Sequence, residues 1–179
     1  MSSMLTYYPN ILTISGSGRN VGKTSLLCSI IRRRESKLAI TAVKISPHFH
    51  DTDYEESEIE VSDNYVIFSE EDAGKAKDSS KMLASGARSV FYIQARDHYL
   101  QEALNSFLEM IQPGVPVICE SGGIQHFIEP GLSLYVTNEP GGGLEKPKPK
   151  NAIEVVGDQQ SFDMLSERIV FVNGKWILK

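Results

Sequence analysis

The chain has 179 residues, with 18 Lys and Arg against 23 Asp and Glu, for a formal net charge of −5. That length suits one domain with a full core, so residues 1–179 are expected to form a single unit. The acidic balance argues against a broad nucleic-acid surface, which needs basic residues to neutralise phosphates. No run approaches membrane-spanning length, and the expected location is cytoplasmic, with no membrane partner.

In chain order, the first apolar run is "NILTIS" (residues 10–15), which ends in a glycine-rich turn. "KTSLLCSIIRRRESK" follows with Leu26, Leu27, Ile30 and Ile31 at helical spacing. Its Arg32, Arg33 and Arg34 fall near the helix C-terminus, where positive charge complements the dipole, so a solvated helix end outweighs a nucleic-acid patch. "KLAITAVKIS" (37–46) reads as a second strand. Residues 47–63 are polar and acidic and read as a loop, or as a segment ordered by ligand. "NYVIFS" reads as a strand, with an edge position expected. "KDSSKMLASGA" reads as a helix closed by Gly86.

"RSVFYIQA" is a strand, and residues 97–112 form an amphipathic helix broken by Pro113-Gly114. "VPVICESGG" is an apolar strand running into a glycine turn, and "LSLYVTN" is a further strand. Residues 139–151, "EPGGGLEKPKPKN", read as an exposed loop; contact of its lysines with phosphate is the less common alternative. The last stretch, 167–179, has two strand-like runs around Asn173-Gly174 and reads as a terminal β-hairpin. Cys28 and Cys119 sit in apolar runs and read as buried reduced thiols.

Strands alternating with helices imply an α/β fold, a doubly wound and mainly parallel sheet covered on both faces. Ligands of such sheets bind beyond the carboxyl ends of the strands. Three polar clusters fall at such ends: Gly16 to Thr24, Ser46 to Asp53, and Glu120 to Gly123.

The first cluster, "GSGRNVGKTS", resembles the phosphate loop G-x-x-x-x-G-K-[ST], with Ser17 where the first glycine of the strict pattern would stand. A dinucleotide fingerprint fits less well, having one residue too many between its last glycines. Backbone amides of Gly16, Ser17, Gly18, Arg19, Asn20, Val21 and Gly22 would wrap a polyphosphate. Lys23 would reach the outer phosphates, Thr24 would ligate Mg²⁺, and Ser25 would touch an inner phosphate. The expected ligand is a nucleoside triphosphate, GTP or ATP.

Glu120 ends a buried strand beside Ser121-Gly122-Gly123. It is a candidate Mg²⁺ or water ligand, with a turn or capping role as the alternative. Asp51 and Asp53 follow the second strand, and one of them is a candidate to hold Mg²⁺ or to position water. Asp78 is open to the same role, although an acid near a helix start is more often a cap. His48 and His50 alternate with Asp51 nearby; solvated loop histidines are the commoner outcome than a metal site. His98 and His126 have no partner visible in sequence. Thr137 and Asn138 stand where related folds read the base, and an Asn amide suits a purine edge.

The loop, with five residues between Gly16 and Gly22 and then Lys23-Thr24, resembles that of dethiobiotin synthetase and its relatives. More of the chain is similar to the molybdopterin-guanine dinucleotide biosynthesis protein B family. "VKISPHFHD" (43–51), "KDSSKMLASGARSVFYI" (77–93) and "VICESGG" (117–123) occur in that family's order. Ser121 stands where the family has Gly, and the His pair is spaced His48-x-His50. The resemblance implies a P-loop NTPase fold, binding of GTP with Mg²⁺, and frequently a homodimer. It also implies an accessory role alongside a cofactor-biosynthesis enzyme in attaching a nucleotide to the molybdenum cofactor. Asp51 is the acid that this pattern favours.

The expected function is thus Mg²⁺-dependent GTP or ATP binding with slow hydrolysis. Lys23, Thr24 and the metal would stabilise charge on the β–γ bridge, and Asp51 or Glu120 would orient water. Two alternatives remain open. One is an ATP-dependent ligase or small-molecule kinase of the dethiobiotin synthetase type; the other is a nucleotide-sensing module without turnover.

Overall fold

The computed structural model describes residues 5–34, 38–47, 49, 57–138 and 146–179. Its strands are β1 (Thr6–Gly16), β2 (Thr41–Ser46), β3 (Glu58–Val61), β4 (Tyr65–Ser69), β5 (Ser89–Ala95), β6 (Val117–Glu120), β7 (Ile128–Thr137), β8 (Ile153–Val156), β9 (Ile169–Val172) and β10 (Lys175–Leu178). The helices are α1 (Lys23–Arg34), α2 (Asp78–Ala84), α3 (Leu100–Met110) and α4 (Gln159–Arg168), with 3₁₀ turns at Asp97–Tyr99 and Ile124–His126.

The first eight strands form one sheet in the order β3-β4-β5-β2-β6-β1-β7-β8. All neighbours from β5 to β8 run parallel, whereas β3 and β4 add antiparallel strands at one edge. The fold is therefore α/β with a mostly parallel central sheet. β9 and β10 make a separate antiparallel hairpin at the C-terminus. Asn173 and Gly174 turn it with φ of 52° and 75°, both in the left-handed region that a tight two-residue hairpin requires.

Period-two patterning explains how the sheet is covered. Leu12 and Ile14 of β1 face a core with Leu26, Leu27, Ile30 and Ile31 of α1, Met82 of α2 and Phe162 of α4. Ile11, Val43, Ile45, Val117 and Cys119 face the other core, with Leu100, Ala103, Leu104 and Phe107 of α3. Both faces are covered by apolar side chains, so the central strands carry mostly apolar residues.

The carboxyl ends of the parallel strands share one rim. β6 returns between β1 and β2, pairing Glu120 with Ile14 on one side and with Lys44 on the other. The order of strands reverses there, and a crevice opens beyond that point in such sheets.

Several expectations are corrected. β4 is an inner strand, because Glu58–Val61 lies outside it as the edge; the acidic segment 47–63 therefore contains a strand that its polarity concealed. The helix expected at 97–112 is a 3₁₀ turn followed by α3. Residues 167 and 168 end α4, so the terminal hairpin begins at Ile169. α4 and β8 were not anticipated at all. Asp158 caps α4, its carboxylate accepting from the Ser161 amide at 2.9 Å.

The basic cluster on α1 is structural in part. Arg34 donates to the carbonyls of Ser166, Glu167 and Ile169 at the end of α4, and Arg33 pairs with Glu167 at 3.0 Å. Cys28 and Cys119 are buried and free, as expected, and burial pushes both thiols up from their ordinary pKa. Among the described residues, no helix is long and apolar enough to cross a membrane.

Candidate functional site

The glycine-rich loop bridges the end of β1 and the first turn of α1. The Ser17 amide donates to the Val136 carbonyl at 2.9 Å, which holds the loop against the end of β7. Asn20 and Gly22 take φ of 58° and 99°, so the backbone reverses its handedness on either side of Val21. A β-carbon on Gly22 would stand 2.7 Å from the Phe162 ring. Glycine is thus demanded there by conformation and by space at once. A β-carbon on Gly157, after β8, would overlap the Val21 carbonyl oxygen, so the loop is packed from behind by the elements that follow β7.

Lys23 opens α1 and turns back over the loop, its ammonium donating to the Gly18 carbonyl at 2.6 Å. Burial pushes its pKa below the ordinary lysine value; Glu120 opposes this, while Lys44 and Lys146 reinforce it. One of three ammonium hydrogens is used by that bond, which leaves two donors for another acceptor.

Thr24 lies next along the helix, and its hydroxyl donates to Glu120 Oε2 at 2.6 Å. Glu120 is buried, and its other oxygen meets the Lys44 ammonium at 3.2 Å. Lys44 also pairs with Asp78, the first residue of α2. Burial alone would lower the Lys44 pKa, but Glu120 and Asp78 outweigh it and hold the ammonium above the ordinary lysine value. Burial would likewise raise Asp78, yet its bond to Lys44 and the charges of Lys44 and Lys81 carry it below the ordinary carboxylate value. The chain Thr24–Glu120–Lys44–Asp78 joins α1, β6, β2 and α2 beneath the loop.

Of the residues expected at the site, Gly16 to Ser25 and Glu120 are brought together. Arg19, Asn20 and Ser25 are exposed around the loop. Thr137 is buried at the end of β7, and its carbonyl accepts from the Gly157 amide at 2.8 Å; Asn138 beside it is exposed. Asp78 does not cap α2, whose N-cap is Lys77; its carboxylate serves Lys44 and Lys81 instead. His48, His50, Asp51 and Asp53 lie outside the described residues. His98 and His126 are exposed, in separate 3₁₀ turns.

Sequence reasoning missed Lys44 as a member of the site. The signal was a single charge in the otherwise uncharged strand "TAVKIS", which asks for a buried counter-ion. It also missed Phe162 and Gly157, which shape the loop from a region that had no predicted elements.

Magnesium asks for hard oxygen donors, commonly one or two carboxylates with water and phosphate completing the shell. The hydroxyl of Thr24 and the carboxylate of Glu120, side by side at a helix start, are donors of that kind. No cluster of three or more His, Cys, Asp or Glu positioned for a metal occurs among the described residues.

No protein family, curated protein or solved structure was found to match the chain.

Proposed function

We propose that this chain is a phosphate-loop protein that binds GTP or ATP with Mg²⁺ and hydrolyses it slowly, GTP being favoured by the resemblance to molybdopterin-guanine dinucleotide biosynthesis protein B. The observation that carries the reading is the conjunction of three features at one sheet switch point. These are the curled loop at Ser17–Gly22, Lys23 folded over it, and Thr24 bonded to Glu120.

In this reading the loop amides and the first turn of α1 hold the phosphates, since both present N–H groups and a positive dipole end. Lys23 keeps its bond to Gly18 and turns its two remaining donors to the outer phosphates. Thr24 and Glu120 would hold Mg²⁺, which when bound offsets negative charge between the terminal phosphates. Lys44 and Asp78 keep the Glu120 carboxylate in one orientation.

Slow turnover fits the same geometry. In this reading Glu120 is committed to the metal while Thr24 and Lys44 hold its two oxygens, so this carboxylate is not a free base for activating water. Asp51 remains the proposed residue for that task.

A thermal-shift comparison of GTP, ATP, GDP and ADP, each with Mg²⁺, tests the reading. A ligand that binds only the native state raises the midpoint in proportion to occupancy and affinity. At least one triphosphate should raise it by several degrees; no shift with any of the four at millimolar concentration would refute the proposal.

A further inference from the structure

Lys146 follows β7 in sequence and belongs to no helix or strand itself, yet its ammonium stands near the turn after Glu120. Its ammonium is 3.4 Å from where a β-carbon on Gly122 would be, above the turn that leaves Glu120. Its backbone is anchored, because the hydroxyl of buried Tyr135 donates to the Lys146 carbonyl at 2.6 Å. Tyr135 in turn is registered against Ser15 of β1, immediately before the loop. The position of Lys146 is therefore set by the sheet.

Among the described residues, Lys23, Lys44 and Lys146 converge on the rim, and the carboxylates they meet there, Glu120 and Asp78, both contact Lys44. Among the described residues neither Lys23 nor Lys146 forms an ion pair, whereas Lys148, two residues on, pairs with Glu154 at 3.3 Å. Lys146 and Lys44 act together with burial to depress the pKa of Lys23. Converging like charges at a partly buried rim cost free energy, and the same field favours an anion placed among them.

We infer that Lys146 is a third cationic contact of the phosphate site and reads the outermost phosphate of the bound nucleotide. This rests on the proposed function. In that reading the inner phosphates lie among the loop amides and at the start of α1. The terminal phosphate then extends past Thr24 toward Glu120 and its following turn, over which Lys146 stands. A lysine binds phosphate as a mobile point charge and needs no fixed fork geometry. The site would thus discriminate triphosphate from diphosphate by a residue supplied from the segment after β7.

The test is calorimetric titration of the full chain with Mg²⁺–GTP and Mg²⁺–GDP, or with the adenine pair if the wild type prefers it. Wild type is compared with Lys146→Ala, Lys146→Glu and Lys146→Arg. The Ala variant should lose about ten-fold in triphosphate affinity, with the diphosphate changing by less than about two-fold. The Glu variant should lose more, and the Arg variant should stay near wild type. Unchanged ligand-free melting across the series would exclude a folding defect, which this exposed side chain is not expected to cause. Triphosphate affinity unaltered in both the Ala and Glu variants would overturn the inference, as would equal losses for both nucleotides. Wild-type protein that binds neither nucleotide would refute the parent reading, and this one with it.

Discussion

Thr24 and Glu120 lie 96 residues apart in sequence, and a single 2.6 Å hydrogen bond from hydroxyl to carboxylate ties them together. It links the first turn of α1 to the last residue of β6, across the switch point of the sheet. If Mg²⁺ takes those two oxygens, nucleotide affinity should depend on the metal through both residues. Glu120→Gln and Thr24→Val should each remove most of the Mg²⁺ enhancement of triphosphate affinity, about ten-fold or more. Titrations with Mg²⁺ and with chelator measure that ratio directly. An undiminished ratio in both variants would take the metal away from this pair.

Lys44 is the centre of a partly buried charge network in which Glu120 is the buried member. Replacing it with Met would leave Glu120 buried with only a hydroxyl partner, and breaking a buried pair from one side is costly. Lys44→Met should destabilise the fold by about 2–4 kcal/mol in urea unfolding. The double variant Lys44→Met/Glu120→Gln should recover part of that loss, because the orphaned charge is gone.

Asp78 supplies the pH dependence. Its folded pKa is below the ordinary 3.8 because Lys44 and Lys81 offset its burial. Its pairing therefore stabilises the protein above that ordinary value and is lost as the pH falls through the lowered one. The stability difference between wild type and Asp78→Asn should be full at neutral pH and shrink as the pH drops below 3.8. Lys44, raised above 10.5, behaves oppositely: its contribution is complete below that value and is lost as the pH rises through its folded pKa. A difference that stays constant through the acid range would show that Asp78 is not held this way.

Gly22 and Phe162 should be energetically coupled. Gly22→Ala forces a β-carbon both into a left-handed backbone position and to 2.7 Å from the ring, at a cost of about 2 kcal/mol or more. Phe162→Leu should relieve the steric part, so the double variant should be more stable than the sum of the singles. Strict additivity in denaturant melts would argue against contact.

The terminal hairpin is part of the core. Trp176 is fully buried, and its indole N–H donates to the Val117 carbonyl at 3.0 Å. Trp176→Ala should cost about 3–5 kcal/mol.

The legible parts of the fold were those where periodicity and punctuation agree. "RSVFYIQA", the helix from Lys23 and the Asn173-Gly174 hairpin each combine an apolar period with a clear stop, and each is found, the hairpin starting two residues later than expected. β3 was hidden because an edge strand has only one partner and can carry Glu58 and Glu60 at little cost. α4 was hidden because its few apolar residues do not make a clear stripe: Phe162 and Leu165 pack inward while Met164 between them is exposed. The turn between β1 and α1 was legible because its glycines mark a change of backbone handedness, seen at Asn20 and Gly22. Lys44 was not, since its pairing with Glu120 and Asp78 arises only when β2, β6 and α2 are brought to one rim.

The central claim is that the loop at Ser17–Gly22, with Lys23, grips a nucleoside triphosphate. Calorimetric titration of wild type and Lys23→Ala with Mg²⁺–GTP and Mg²⁺–ATP tests it most directly. The account predicts micromolar or tighter binding of at least one triphosphate by wild type and a loss of about 100-fold or more in the variant. Equal affinity in the two proteins, or no binding by wild type, would contradict it.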